Sequence, residues 1–154
     1  MMKEVMFPVV LALCVAYISA TEVNVCKSGL PLPVSVGVLN CDKGPCELPK
    51  GTEVFMNLTF DAPNDLEIFE PKIIAHALGI DVDYPLAEPN GCNQLVDDEC
   101  PLEEGQRVLY ATSMEVLSFY PNINFGIELT LYTYNEDGDK FPFTCFQIDG
   151  KVVG

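Results

Sequence analysis

The chain has 154 residues, of which 49% are hydrophobic, and its 23 acidic and 8 basic residues give a formal net charge of -15. A surface this acidic repels nucleic acid and anionic lipid head groups, and it keeps a concentrated extracellular protein in solution. The acidic residues are spread along the chain rather than gathered in a tail. They therefore predict a solvated surface and argue against a nucleic-acid-binding protein.

The first 20 residues have the pattern of a secretory signal peptide. Lys3 precedes an apolar run over residues 5–18, and the small residues Ser19 and Ala20 follow it. The run is shorter than the roughly 20 apolar residues of a membrane span, although an uncleaved anchor is the alternative reading. We expect cleavage after Ala20, a single mature domain over residues 21–154 and a secreted protein.

The mature chain contains short runs in which apolar and polar residues alternate, separated by Pro, Gly and Asn. This pattern is typical of β-strands with one buried face, and no segment has an amphipathic helical repeat of useful length. An all-β fold follows, an antiparallel sandwich or barrel. The predicted strands span residues 34–38, 54–60, 72–78, 80–84, 108–117, 123–131 and 141–148.

The strand at 54–60 carries an N-glycosylation sequon, Asn57-Leu58-Thr59. Successive side chains of a strand point to opposite faces, so Asn57 lies opposite Met56 and Leu58. A glycan on Asn57 is therefore expected to point into solvent.

The strand at 123–131 alternates most strictly, with Ile123, Phe125, Ile127, Leu129 and Leu131 on one face. In a sandwich this face either packs into an ordinary core or lines a cavity between splayed sheets. Periodicity does not distinguish these two arrangements.

The chain has seven cysteines, one of which, Cys14, lies in the predicted leader. An even number of cysteines in a secreted chain predicts three disulfides, although their pairing is left open. No histidine lies near Cys41 and Cys46, so we expect no metal site. The six cysteines of the mature chain are Cys26, Cys41, Cys46, Cys92, Cys100 and Cys145.

No group of residues predicts catalysis. His76, the only histidine, lies within an apolar strand without an assignable nucleophile and is interpreted as structural. The segment 135–140, NEDGDK, lacks the ligand spacing of a calcium loop and is interpreted as a hairpin loop turned by Gly138. We expect neither an enzyme nor a cofactor-binding protein.

The cysteine framework and the words around it resemble a known family. The words NCDKGPCELPKGTEVFMNLTF, YPLAEPNGC, CPLEEGQ and VLSFYPNI are similar to those of the ML lipid-recognition family. Its members include cholesterol-transfer proteins, to which the resemblance is closest, and group 2 mite allergens. The resemblance covers essentially the whole mature chain.

The resemblance implies an immunoglobulin-like sandwich of two antiparallel sheets with a lipid cavity between them. It also implies the disulfides Cys26–Cys145, Cys41–Cys46 and Cys92–Cys100. Tyr84 and Tyr120 are expected at the cavity mouth, where their hydroxyls would bond a ligand's head group, and Val116 in its wall. The other expected wall residues are Val38, Met56, Ile73, Val82, Phe125, Ile127, Leu129 and Phe146.

The chain departs from the family pattern at several positions. Leu129 and Phe146 stand where sterol carriers often have tryptophan, which predicts a wider or differently shaped cavity. Glu115 stands where proline is usual. Glu103 and Glu104 replace a more basic stretch, so we expect weak or no binding to anionic membranes.

Together these patterns predict a monomeric carrier of one sterol-like lipid, extracellular or in the lysosomal lumen, that delivers to a membrane receptor or transporter. An extracellular carrier of fatty acids or semiochemicals is the first alternative. The second is a lipid pattern-recognition module that acts in innate immunity through a protein partner.

Overall fold

The computed structural model describes residues 20–154, so the predicted leader lies outside the described residues except for Ala20. Within this range no helix is long and apolar enough to cross a membrane. A single-turn 3-10 helix spans Gly91–Gln94. The strands are β1 Ser35–Val38, β2 Cys46–Pro49, β3 Thr52–Asp61, β4 Glu70–Ala77, β5 Ile80–Tyr84, β6 Leu95–Val96, β7 Arg107–Val116, β8 Asn124–Tyr134 and β9 Lys140–Val153.

The strands form two sheets, one of four strands in the order β1-β3-β7-β6 and one of five in the order β2-β9-β8-β4-β5. The predicted immunoglobulin-like sandwich is confirmed, with one correction. The sheets are not wholly antiparallel, because β2 pairs with β9 in parallel, Cys46 opposite Gly150 and Leu48 opposite Val152. The chain reaches β2 directly from the Cys41–Cys46 loop rather than through a hairpin from β9, so the pairing is not bound to be antiparallel.

All seven predicted strands are present, and in the long strands the alternating residues mark the buried face. In β3, for example, Val54, Met56, Leu58 and Phe60 are buried, while Asn57 lies on the opposite face as predicted. Gly138 turns the predicted hairpin between β8 and β9, with a positive φ of 82°. The sequence pattern missed only β2 and β6, which are four and two residues long.

The core lies between the sheets and is aromatic at one end. Phe69 contacts Phe60 and Tyr110 edge to face, with ring centroids 5.1 and 5.3 Å apart, and Phe143 packs against Phe60. Aromatic rings bury more area than other side chains and fill this end of the sandwich.

The three disulfides pair as the family resemblance implied, Cys26–Cys145, Cys41–Cys46 and Cys92–Cys100. The first joins the N-terminal segment to β9 across 119 residues of sequence. The other two close local loops of five and eight residues. The long-range bond therefore constrains the unfolded chain most.

Candidate functional site

A cavity of about 290 Å³ opens between the two sheets, at the end away from the aromatic cluster. We call it the inter-sheet cavity. Its deep side is formed by buried residues such as Val116 and Val152, and its mouth by exposed ones such as Pro85 and Pro121. It is lined by Leu48, Ala75, Ala77, Val82, Asp83, Tyr84, Pro85, Met114, Glu115, Val116, Tyr120, Pro121, Ile123, Phe125 and Val152.

The cavity exists because small side chains stand where larger ones would close the sheets together. On β4 the inward positions are Ile73, Ala75 and Ala77, and the side chain shrinks from isoleucine to alanine toward the cavity. Ile73 is fully buried, whereas both alanines line open space. The facing wall comes from Met114 and Val116 of β7.

Tyr84 connects the two sheets at the mouth. It ends β5, at the edge of the five-stranded sheet, and its hydroxyl accepts a hydrogen bond from the Glu115 backbone N–H of β7 at 2.8 Å. The same hydroxyl donates to the Glu115 carbonyl at 3.3 Å. Tyr84 therefore uses its hydroxyl to hold the mouth, and a ligand's head group would have to compete for it.

Tyr120 lines the mouth beside Tyr84, on the turn between β7 and β8. Partial burial raises the pKa of its phenol above the ordinary value, and the neighbouring Tyr84 and Glu115 raise it further. The side chain is therefore a neutral hydroxyl at physiological pH, able both to donate and to accept. Its ring packs edge to face on Phe119, which is 78% exposed.

The charges at the mouth are negative. Asp83 and Glu115 are exposed and line the cavity, and Lys72 approaches the Asp83 carboxylate at 3.8 Å. Within the described residues the cavity wall includes these two carboxylates and no basic side chain. The mouth thus disfavours an anionic group and tolerates a neutral one.

Five of the eleven residues expected to contact a ligand line the cavity: Tyr84, Val116, Tyr120, Val82 and Phe125. The other six lie in the packed core outside the cavity wall. These are Val38, Met56, Ile73, Ile127, Leu129 and Phe146. Within β8 the apolar face therefore lines the cavity only at Phe125, and Ile123 lines it just before the strand begins. From Ile127 onward the same face packs into the core.

Sequence reasoning missed several wall residues whose position in the alternation would have indicated them. Ala75 and Ala77 continue the inward face of Ile73, Met114 that of Val116, and Ile123 that of Phe125. Leu48 and Val152 gave no such signal, since they meet through the parallel β2–β9 pairing.

Leu129 and Phe146, at the two positions where the family resemblance leads one to expect tryptophan, do not line the inter-sheet cavity and so do not widen it directly. Leu129 and Phe146 are cross-strand partners on β8 and β9, and both are completely buried in the core. A smaller residue at 129 is accommodated by packing rather than by open space.

His76 lies on the outer face of β4, away from the cavity. Its Nδ1 is 2.5 Å from an Asp81 carboxylate oxygen on β5, and its Nε2 is 3.3 Å from a Glu128 oxygen on β8. The bond to Asp81, followed by Glu128, raises the pKa of His76 above its ordinary value. The histidine therefore joins three neighbouring strands, consistent with a structural role.

Comparisons with known proteins agree with this architecture. A family model described as the ML domain matches residues 20–152. The chain is 28% identical to NPC intracellular cholesterol transporter 2 homolog a of Drosophila melanogaster, over 92% of this chain and 93% of the relative. It is 30% identical to mite group 2 allergen Tyr p 2 of Tyrophagus putrescentiae, over 75% and 79% of the two chains.

Among solved structures, a Niemann-Pick type C2 protein from Japanese carpenter ant superimposes with a TM-score of 0.66 and 21% identity. The match covers 86% of this chain and 99% of the ant protein, which shows that the two share a fold. Because the family model matches nearly the whole of the described chain, this protein belongs to the ML domain family.

Proposed function

We propose that this protein is a secreted carrier that holds one hydrophobic ligand, a sterol or a similar lipid with a neutral hydroxyl head, between its two sheets. The observation that carries the proposal is the inter-sheet cavity itself. Its wall is mainly aliphatic and aromatic, and its few polar groups are gathered at the mouth. This is the arrangement expected of a site that binds an apolar body and orients one polar end.

The driving force is burial of apolar surface. Each enclosed methylene contributes about 0.8 kcal/mol, so a ligand with about ten enclosed carbons gains about 8 kcal/mol before the cost of immobilisation. We therefore expect dissociation constants no tighter than about micromolar for such a ligand. Binding of this kind depends on an apolar cavity that matches the ligand in shape and excludes water, and it requires no catalytic group.

The mouth supports a neutral head group. A carboxylate placed beside Tyr84 and Tyr120 would also stand close to Asp83 and Glu115 and would be repelled. A hydroxyl has no charge and pairs with the Tyr120 phenol as donor or acceptor. Relatives named as cholesterol transporters fit this preference, since cholesterol carries one hydroxyl.

The volume of the cavity favours a second candidate, carriage of a slender single-chain lipid such as a fatty acid or a semiochemical. At about 290 Å³ the cavity is at the lower limit of the roughly 300–1,000 Å³ typical of small-molecule sites. A single acyl chain enters such a space without rearrangement. A rigid sterol requires the mouth to open and the sheets to move apart.

The proposed setting is extracellular or the lysosomal lumen, with the protein acting as a monomer. The predicted leader and the disulfide framework support an oxidising compartment. Attraction to anionic membranes amounts to about 1 kcal/mol per basic residue near the surface, and this chain has 8 basic against 23 acidic residues. Delivery to a membrane receptor or transporter is therefore favoured over direct exchange between membranes.

Native mass spectrometry tests the proposal. The mature protein is secreted from a eukaryotic host, incubated with a mixed lipid extract and measured without denaturation. A one-to-one adduct at the mass of a sterol supports the first candidate, and an adduct at the mass of a fatty acid supports the second. Absence of any adduct contradicts both.

A further inference from the structure

A second depression lies on the outer face of the four-stranded sheet, on the side of that sheet opposite the core. We call it the outer groove, and its volume is about 310 Å³. Its lining combines apolar surface with amide and hydroxyl groups, unlike the mainly apolar inter-sheet cavity. It is lined by Gly37, Leu39, Phe55, Met56, Asn57, Gln94, Ala111, Thr112 and Ser113.

Asn57 lies at the centre of this groove because of the strand register. Its direct cross-strand neighbours are Gly37 on β1 and Ala111 on β7, two of the smallest residues. A Cβ at position 37 would lie 2.6 Å from the Asn57 Oδ1. Because residue 37 is glycine, the Asn57 amide lies beside it without a steric clash. The small residues Gly37 and Ala111 leave open space around Asn57.

Phe55 stands on the same face, two residues before Asn57, and its side chain is 51% exposed. Leu39, which follows the end of β1, lies beside it because the Leu39 N–H donates to the Phe55 carbonyl at 3.0 Å, and its side chain is 62% exposed. No other part of the described chain covers these two large apolar side chains on the outer sheet face. Near them, the Gln94 Oε1 is buried without a hydrogen-bond partner within the described residues.

We propose that the outer groove holds the first sugar of an N-linked glycan on Asn57. The ring of N-acetylglucosamine has an apolar face that would pack on Phe55, as amphipathic groups do on aromatic rings. Its hydroxyl groups would bond the polar side chains that line the groove, the Gln94 amide among them. The glycan thus covers apolar surface and stabilises the sheet, in addition to solubilising the protein.

The chemistry of attachment follows from the sequon Asn57-Leu58-Thr59. The donor is an oligosaccharide activated as a polyprenyl diphosphate. A bond forms between Asn57 Nδ2 and C1 of the first sugar, while the bond from C1 to the diphosphate oxygen breaks and that oxygen keeps the electron pair. One amide proton passes to a base. The inference rests on the proposed secretory route, since the donor is met there.

The test is a double-mutant cycle on the full-length chain secreted from insect cells. The unmodified protein and the Phe55→Thr variant are each trimmed by an endoglycosidase to a single N-acetylglucosamine. The melting temperature of each trimmed protein is compared with that of the same protein carrying Asn57→Gln. We expect the single sugar to raise the melting temperature by about 2–5 °C when Phe55 is present. The increment should fall below about 1 °C in Phe55→Thr.

Val25→Thr is the matched control, because Val25 is also exposed but does not line the groove. It should leave the sugar's increment unchanged. In the trimmed protein, nuclear Overhauser effects should connect the acetyl methyl group of the sugar to the Phe55 ring. Secreted protein without a sugar on Asn57, or a sugar whose effect is independent of Phe55 and which shows no such contact, would overturn the inference.

Failure of this inference is distinguishable from failure of the carrier proposal. The outer groove and the inter-sheet cavity lie on opposite faces of the four-stranded sheet, so secreted Asn57→Gln protein should keep its lipid adduct. Loss of the lipid adduct in secreted Asn57→Gln protein would contradict the conclusion that the outer groove and the inter-sheet cavity are separate sites. If the unmodified protein never enters the medium and carries no sugar, both the proposed secretory route and the proposed binding of the first sugar in the outer groove are overturned.

Discussion

The hydroxyl of Tyr84 and the backbone of Glu115 are joined across the mouth of the inter-sheet cavity by two hydrogen bonds, of 2.8 and 3.3 Å. The bonds link β5, at the edge of one sheet, to β7 of the other. Among residues 20–154, β7 pairs on its far side from β3 with β6 only, at Leu109 and Tyr110, so Glu115 lies on an open edge within this part of the chain. Tyr84 takes the place that a strand partner would fill and holds the mouth closed.

Tyr84→Phe should therefore open the mouth without unfolding the protein. The exposed Glu115 N–H and carbonyl can bond water instead, so the stability loss should be about 0.5–1.5 kcal/mol. We expect ligand entry and exit to accelerate about five-fold, corresponding to about 1 kcal/mol removed from the closed state. Stopped-flow fluorescence with a fluorescent sterol or fatty acid measures both rates.

Glu115→Pro supplies an independent check. Proline, which the family resemblance leads one to expect at this position, has no N–H to donate, and it is tolerated on an open strand edge. Its exchange rates should resemble those of Tyr84→Phe. Tyr134→Phe is the control, because that hydroxyl bonds Glu70 and not the cavity mouth. Unchanged exchange rates in the two mouth variants would show that these bonds do not govern access.

Val116→Phe should abolish ligand binding while the protein still folds. Val116 is 2% exposed and lines the deep side of the cavity, so a larger side chain has open space to occupy. We expect a stability change within the 1–3 kcal/mol typical of overpacking. Fluorescent-ligand titration and thermal unfolding measure the two effects.

Ala77→Leu fills the same space from the opposite sheet and should also weaken binding. Ala87→Leu, at an exposed residue that does not line the cavity, should have no effect on affinity. If both filling variants bind as tightly as the unmodified protein, the ligand does not occupy this space.

The three disulfides should differ in their contribution to stability. On the chain-entropy estimate, removing Cys26–Cys145 as a pair of alanines costs about 4–5 kcal/mol, whereas the short-loop bonds contribute about 2–2.5 kcal/mol each. The order follows from their sequence separations of 119, 5 and 8 residues. Urea unfolding of the three double variants tests it, and equal losses would contradict the entropic account.

His76 should make stability depend on pH. Its pKa is raised in the folded state, chiefly by Asp81 and also by Glu128. The stabilisation is therefore fully present below the unfolded value of about 6.5, and it is lost as pH rises through the folded value. Thermal unfolding of the unmodified protein and of His76→Gln should differ most at low pH and converge at high pH.

Asp81→Asn removes the largest cause of that shift and should reduce the pH dependence without moving the cavity wall. A difference between the unmodified protein and His76→Gln that grows with rising pH would contradict the assigned ion pairs.

The sequence was most informative where strands are long. In β3 and β8 the alternation extends over enough residues to define the buried face, so the two-sheet fold was predictable. The strand β2 has four residues including a proline, and its parallel partner β9 lies about 100 positions away in the chain. No local pattern specifies such a pairing, since it depends on how the whole chain folds.

The extent of the cavity was predictable only in part, because alternation shows which side chains point inward but not whether they meet others. Leu129 and Phe125 share a face of β8, yet Leu129 is packed against neighbours and Phe125 faces open space. The difference arises from the aromatic rings at one end and from Ala75 and Ala77 at the other. The bond between Tyr84 and Glu115 depends likewise on tertiary proximity alone.

A crystal structure of the protein saturated with cholesterol, with a parallel crystal grown with palmitate, would show whether the inter-sheet cavity holds a lipid. We expect one ligand molecule between the sheets, with its apolar body against Val82, Val116 and Phe125. In the cholesterol crystal the hydroxyl should lie beside Tyr120 at the mouth. A ligand bound elsewhere, or an inter-sheet cavity that stays empty at saturating concentrations of both lipids, would contradict the carrier proposal.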